Sequence, residues 1–140
     1  MRGDFTLTAH FEFIGNAKKG HRKTGWMVRE SLSDSSVHAS AVIHRDGLPV
    51  LQWSLRLGMN MRDPEDEIRA PGTSYHVIQL QRRGRKLTMR VAEKEGAPFV
   101  LVGGQIMENL SDQVFAGIFV CSHIPDVLEK VTVSQLSTAP

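Results

Sequence analysis

From Phe5 to Phe13 the chain alternates without a break. Phe5, Leu7, Ala9, Phe11 and Phe13 fall on one side, and Thr6, Thr8, His10 and Glu12 on the other. A sustained period of two is the pattern of a strand with one buried face. The same period returns in Val37, Ala39, Ala41 and Ile43, in Leu51, Trp53, Leu55 and Leu57, and in Leu87, Met89 and Val91. Tyr75 to Leu80 is apolar on both phases at its centre, and Val114 to Cys121 is almost wholly apolar, which predicts a central strand of a two-layer core. Trp26 and Val28 share a phase on a further strand.

The turns sit where hairpins need them. Asp46-Gly47, a strong type I′ hairpin signal, separates two apolar runs, and Arg83-Gly84 and Glu95-Gly96 do the same on either side of the Leu87 run. No capped 3.6-residue period of helical length occurs; Ser111 to Gln113 or Ile124 to Leu128 would make a single helical turn. Gly58 to Gly72 is polar and reads as a long surface loop. About eight or nine short strands, with under about a tenth of the residues helical, predict an all-β, antiparallel two-sheet sandwich or a barrel. The expected core takes one residue from each strand: Phe11, Val28, Ile43, Trp53, Leu80, Met89, Ile118 and Val131.

Composition agrees and adds exclusions. Val, Ile, Thr, Phe, Trp and Tyr make up 36 of 140 residues, the types that suit a pleated surface. That length is one domain, spanning residues 1–140. A net charge of +2 gives no drive toward nucleic acid or anionic membrane, and no apolar run reaches the ~18–20 residues of a membrane span. The start, Met1-Arg2-Gly3-Asp4-Phe5, lacks an apolar signal-peptide core, so the chain as it stands reads as cytoplasmic. Cys121 is the only cysteine, which leaves no intramolecular disulfide.

Several stretches in order carry a resemblance. They are Gly3 to Ala9, His21-Arg22-Lys23 with Trp26 to Leu32, and His44 to Leu48 leading to Leu51-Gln52-Trp53. Ile78 to Gly84, Gly117 to His123 and Asp126 to Leu136 follow. Together they resemble the concanavalin A-like, lectin/glucanase-like β-sandwich domain attached C-terminally to bacterial TolB-like, WD40-type propeller proteins. The resemblance implies a jelly-roll sandwich, a lectin-like binding role and a family that is often exported. Domains of that family carry further strands before the position of Gly3. A strand missing there would leave the Phe5–Phe13 face half-covered, which predicts a homodimer.

The glucanase members of this fold imply a pair of carboxylates alternating on one strand. Glu12 and Glu30 are each alone on theirs, so no catalytic residue is assigned. Asp63, Glu65 and Glu67 alternate on the polar loop; their clustered oxygens would suit calcium and are the only metal candidates, with no cofactor otherwise expected. The histidines, at positions 10, 21, 38, 44, 76 and 123, lack the H-x-H spacing of a metal site and read as hydrogen-bonded or surface groups. Cys121, in its apolar run, reads as core rather than as the partner of His123. The basic clusters at Lys18 to Lys23 and Arg82 to Lys86 lack interleaved aromatics, so they read as solvated turns.

Polar residues out of phase with the core remain. Arg29, His38, Gln52, Gln79 and Arg90, with Trp53 as a stacking ring, would line one concave face and bind a glycan or polysaccharide. Trp53 is also in phase with Leu51 and Leu55, which places it in the core instead. The function expected is thus a non-catalytic, lectin-like binding module. The alternatives are a glycoside hydrolase-like enzyme and a structural module that contacts a partner protein or itself.

Overall fold

The computed structural model describes residues 1–14, 22–33, 35–44, 47–55, 66–122 and 130–140. Strand-forming segments become ten strands, with no helix among the described residues. They are β1 (Phe5–Phe13), β2 (Lys23–Arg29), β3 (His38–His44), β4 (Pro49–Ser54), β5 (Glu67–Arg69), β6 (Val77–Arg83), β7 (Lys86–Ala92), β8 (Val100–Ile106), β9 (Phe115–Cys121) and β10 (Val131–Ala139). One sheet runs β10-β1-β6-β7-β8 and the other β5-β4-β3-β2-β9, every pair antiparallel. The fold is the expected two-sheet jelly-roll β-sandwich.

Alternation decides which face of each strand enters the core. Phe5, Leu7, Ala9 and Phe11 of β1 are buried against Trp26 and Val28 of β2, Ala41 and Ile43 of β3, and Leu51 and Trp53 of β4. Phe11 and Trp26 meet edge to face, with ring centroids 5.7 Å apart. The Trp26 indole N–H donates to the Ile78 carbonyl at 3.0 Å, tying β2 of one sheet to β6 of the other. Turns follow the glycines: Gly84, at φ +61°, opens the two-residue loop between the paired Arg83 and Lys86.

Four expectations change. The Val114–Cys121 run is not a central strand. Its strand, β9, is the sheet edge beyond β2, and Phe115, Ile118 and Val120 are 53%, 45% and 40% exposed. Ile118 is therefore not core, and truncating it leaves no internal cavity. Val131 opens β10, an edge strand of the opposite sheet, and is only half-buried. The Phe5–Phe13 face, whose exposure was expected to draw in a second copy, is covered within the chain, because β1 is flanked by β10 and β6 and roofed by the opposite sheet. Finally, the polar loop contains β5. Glu67 pairs with Gln52 across β4, and Ala70 is buried. Most of that loop, including Asp63 and Glu65, lies outside the described residues, as do the Ile124–Leu128 segment, His21 and His123.

Candidate functional site

The outward face of β1, β6 and β7 is a polar platform set by register. Thr8 lies opposite Gln79, which lies opposite Arg90; one row away, Thr6, Gln81 and Thr88 align in the same way. The side chains hold one another. The Gln79 amide donates to Thr8 Oγ1 at 3.4 Å and the Gln81 amide to Thr6 Oγ1 at 3.3 Å, while Arg90 donates to Gln81 Oε1 at 3.4 Å. All six are half-buried, a consequence of close packing on the pleat.

Continuing along β1, the next outward residues are His10 and Glu12. His10 Nδ1 donates to Glu95 Oε1 at 2.6 Å and Nε2 to Glu12 Oε1 at 2.9 Å. Carboxylates only accept, so with both contacts made the ring is an imidazolium. Burial pulls its pKa down, yet the hydrogen bonds and charges of Glu12 and Glu95 outweigh it, and the pKa stands above the ordinary histidine value. Glu95 is held below the usual carboxylate range, first by its own backbone N–H and then by His10. His76, immediately before β6, stacks on His10 with ring centroids 5.5 Å apart and planes 5° from parallel. Its backbone is pinned on both sides: His76 O accepts from Phe11 N at 2.8 Å, and His76 N donates to Ala92 O at 3.1 Å.

Glu12 and His76 also border a pocket of about 260 Å³ at the end of the sandwich. Its far wall comes from the other sheet, through Arg22, Ile43, His44 and Gly47. The Arg22 guanidinium stacks on the Phe13 ring, 4.1 Å from its centroid. A second pocket, of about 300 Å³, is bordered by Leu55, Gln105, Ile106, Glu108 and Asn109 and carries one titratable group, Glu108. Among the described residues, the histidine–carboxylate end brings polar, ionisable and cavity-lining groups together.

The residues expected to share one face are not brought together. Gln79 and Arg90 lie side by side on the platform. Arg29, His38 and Gln52 lie on β2, β3 and β4, on the outward face of the opposite sheet. There Arg29 donates to the carbonyls of Ser31 and Ser33, and His38 Nδ1 to that of Ser36 at 2.9 Å, bonds that brace the β2–β3 connection. Gln52 accepts from Lys23 at 3.4 Å. Trp53 is 5% exposed and packs in the core, so it offers no stacking ring. Of the acidic triplet, Glu67 is described and pairs with Arg69 at 2.9 Å.

His10 and His76 are hydrogen-bonded, as expected, but nothing in the sequence brings them together with Glu95. A partial signal existed: His10 and Glu12 are two apart on a strand whose other phase is core, so they share the outward face.

No family model matches the chain, and no curated protein matches it. Solved structures do. A functionally unknown protein from Saccharomyces cerevisiae is similar with a TM-score of 0.69 at 16% identity, over 99% of this chain and 70% of that one. A family 7 alginate lyase, A1-II′, solved in complex with substrate, gives a TM-score of 0.49 at 12% identity over 99% of this chain and 61% of its own. A second structure of that lyase gives the same score and identity, with 62% of its chain spanned. At these identities the likeness is one of fold, and the fold shared with the yeast protein is the β-sandwich described above.

Proposed function

We propose that the chain is a non-catalytic binding module whose ligand is a glycan or a similarly hydroxyl-rich biopolymer, held on the outward face of β1, β6 and β7. The observation that carries this reading is the platform itself. Two amides, a guanidinium and three hydroxyls stand in register on rigid strands, and all but the Thr88 hydroxyl are joined by bonds of 3.3–3.4 Å. Such long bonds are weak, so a sugar hydroxyl that donates to one member and accepts from its neighbour replaces them at little cost. Both tryptophans are buried, so recognition on this face proceeds through hydrogen bonds rather than ring stacking. The finer assignment, to lectin-like domains of the kind attached to TolB-like propellers, is supported by the sequence stretches quoted above.

A hydrolase reading finds one new pair of carboxylates, Glu12 and Glu95. They bracket a single imidazole, and Glu95 is pushed toward its ionised form. Glycoside hydrolysis needs one carboxyl kept protonated as the general acid, so this arrangement favours binding over bond cleavage.

Affinity electrophoresis in gels containing soluble neutral and acidic polysaccharides tests the reading. The wild type is expected to be retarded in at least one gel and to release no reducing ends. Gln79→Ala and Arg90→Ala should each weaken retardation by about two- to tenfold, the equivalent of ~0.5–1.5 kcal/mol per lost hydrogen bond. Migration unchanged in every gel, or retardation indifferent to both substitutions, rejects the platform as the site.

A further inference from the structure

The structure assigns a zinc-type divalent cation site to His10, Glu12 and His76, with Glu95 as an outer partner. One ligand atom from each of the three residues lies within 4.8 Å of the others. Around a tetrahedral zinc with bonds of ~2.0–2.1 Å, neighbouring ligand atoms sit about 3.3 Å apart. His10 Nε2 and Glu12 Oε1 are already 2.9 Å apart, so the side-chain rotation that closes the set falls chiefly on His76.

The orientation of the rings is the second, independent observation. A metal-bound histidine characteristically donates its other ring N–H to a carboxylate or a backbone carbonyl, which fixes the ring. Both histidines have that partner. Glu95 takes His10 Nδ1 at 2.6 Å, and the Phe11 carbonyl accepts from His76 Nδ1 at 3.3 Å. Each ring is thereby left with Nε2 for the ion. The rings are stacked with their planes 5° from parallel, so one of them must turn out of the stack for both in-plane Nε2 lone pairs to meet one ion. A cation entering here takes the place of the proton shared between His10 Nε2 and Glu12, and that proton leaves to solvent.

Two imidazoles and one carboxylate suit zinc and its first-row neighbours rather than calcium or magnesium, which prefer all-oxygen shells. Three protein ligands leave the fourth position open. Glu12 and His76 border the 260 Å³ pocket, so that position takes water or a small ligand from the cavity. His10 and Glu12 stand on a strand paired on both sides, and His76 is held by two backbone hydrogen bonds, which gives the site a rigid frame. This inference does not depend on the glycan reading.

Chelator-treated full-length protein titrated with zinc chloride tests it, by isothermal calorimetry and by histidine ¹⁵N NMR. Magnesium and calcium chloride serve as controls. Saturable binding of one zinc per chain is expected, with the His10 and His76 ring signals shifting and that of His38 unmoved. His76→Gln and Glu12→Gln should each weaken binding by about tenfold or more. Glu95→Gln, which leaves all three ligands in place, should weaken it by about 10–100-fold. Circular dichroism matching the wild type qualifies each variant, and His76→Gln, just outside β6, is the one least able to disturb the fold. No saturable zinc binding, or binding that survives both His76→Gln and Glu12→Gln, overturns the site.

Discussion

Gly25→Ala is expected to lower stability by roughly 3–5 kcal/mol, the tail of the range for single substitutions. Gly25 sits inside β2, opposite Val42 on one side and Phe119 on the other. A Cβ added there would lie 2.0 Å from the Ala41 carbonyl oxygen, 2.8 Å from Val42 Cα and 2.9 Å from the Ala41 carbonyl carbon. All three atoms are backbone, so no rotamer change relieves the contact. The φ of +158° is itself a conformation that residues with a side chain rarely adopt, so torsional strain adds to the cost of the close approach. To admit a methyl group, β2 and β3 must part by about an ångström in mid-sheet, which breaks ladder bonds in a buried setting. Each buried group left unsatisfied costs ~1–3 kcal/mol. Against a total of ~5–15 kcal/mol for a domain, the loss is large, and the melting temperature should fall by about 10 °C or more. Gly117→Ala is the matched control. It lies one strand away on β9, and its added Cβ would meet nothing within 4 Å. Differential scanning calorimetry of the two variants decides the matter: if Gly25→Ala melts together with Gly117→Ala, the close β2–β3 approach is wrong.

What the amino-acid pattern revealed and what it hid have one physical origin. Alternation reports the environment of a strand's two faces and nothing about its neighbours. For β1 that was sufficient, because one face is core and the other is the platform, and the expected span from Phe5 to Phe13 is the observed one. For β9 it misled. Apolar residues on both phases imply burial on both faces, but Phe115, Ile118 and Val120 are at an edge with substantial exposure. In β5 only Ile68 is strongly apolar, too little to stand out of an acidic loop. The same limit explains the split binding set. Arg29, His38, Gln52, Gln79 and Arg90 were all assigned the outward phase of their strands, yet phase cannot say which sheet a strand joins. The histidine cluster needed register as well: His76 stands beside His10 only because β6 pairs with β1 so that Val77 faces His10.

Phe11→Ala is expected to destabilise the chain by about 3–5 kcal/mol, the usual cost of emptying a fully buried phenylalanine site. Phe11 is 0% exposed and stands where the two sheets meet. Its ring meets Trp26 edge to face at 5.7 Å, and that indole is fixed by its bond to Ile78 O. Removing the ring leaves a cavity bordered on one side by an indole that cannot move into it without giving up a buried hydrogen bond. Collapse is therefore poor, and the cost belongs at the upper end of the range. Phe11→Leu keeps most of the volume and should cost markedly less. The double-mutant cycle of Phe11→Leu with Trp26→Leu should yield a coupling of ~0.5–1.5 kcal/mol, the share due to the aromatic pair. Urea unfolding provides the reading: the midpoint should move while the slope stays constant, since the same surface is exposed on unfolding. The residue also joins core to site, because its side chain packs inward while its carbonyl accepts from His76 Nδ1. A cost below about 1 kcal/mol for Phe11→Ala would mean that the sheets do not close on this ring, and the placement of His76 that depends on β1 would fall with it.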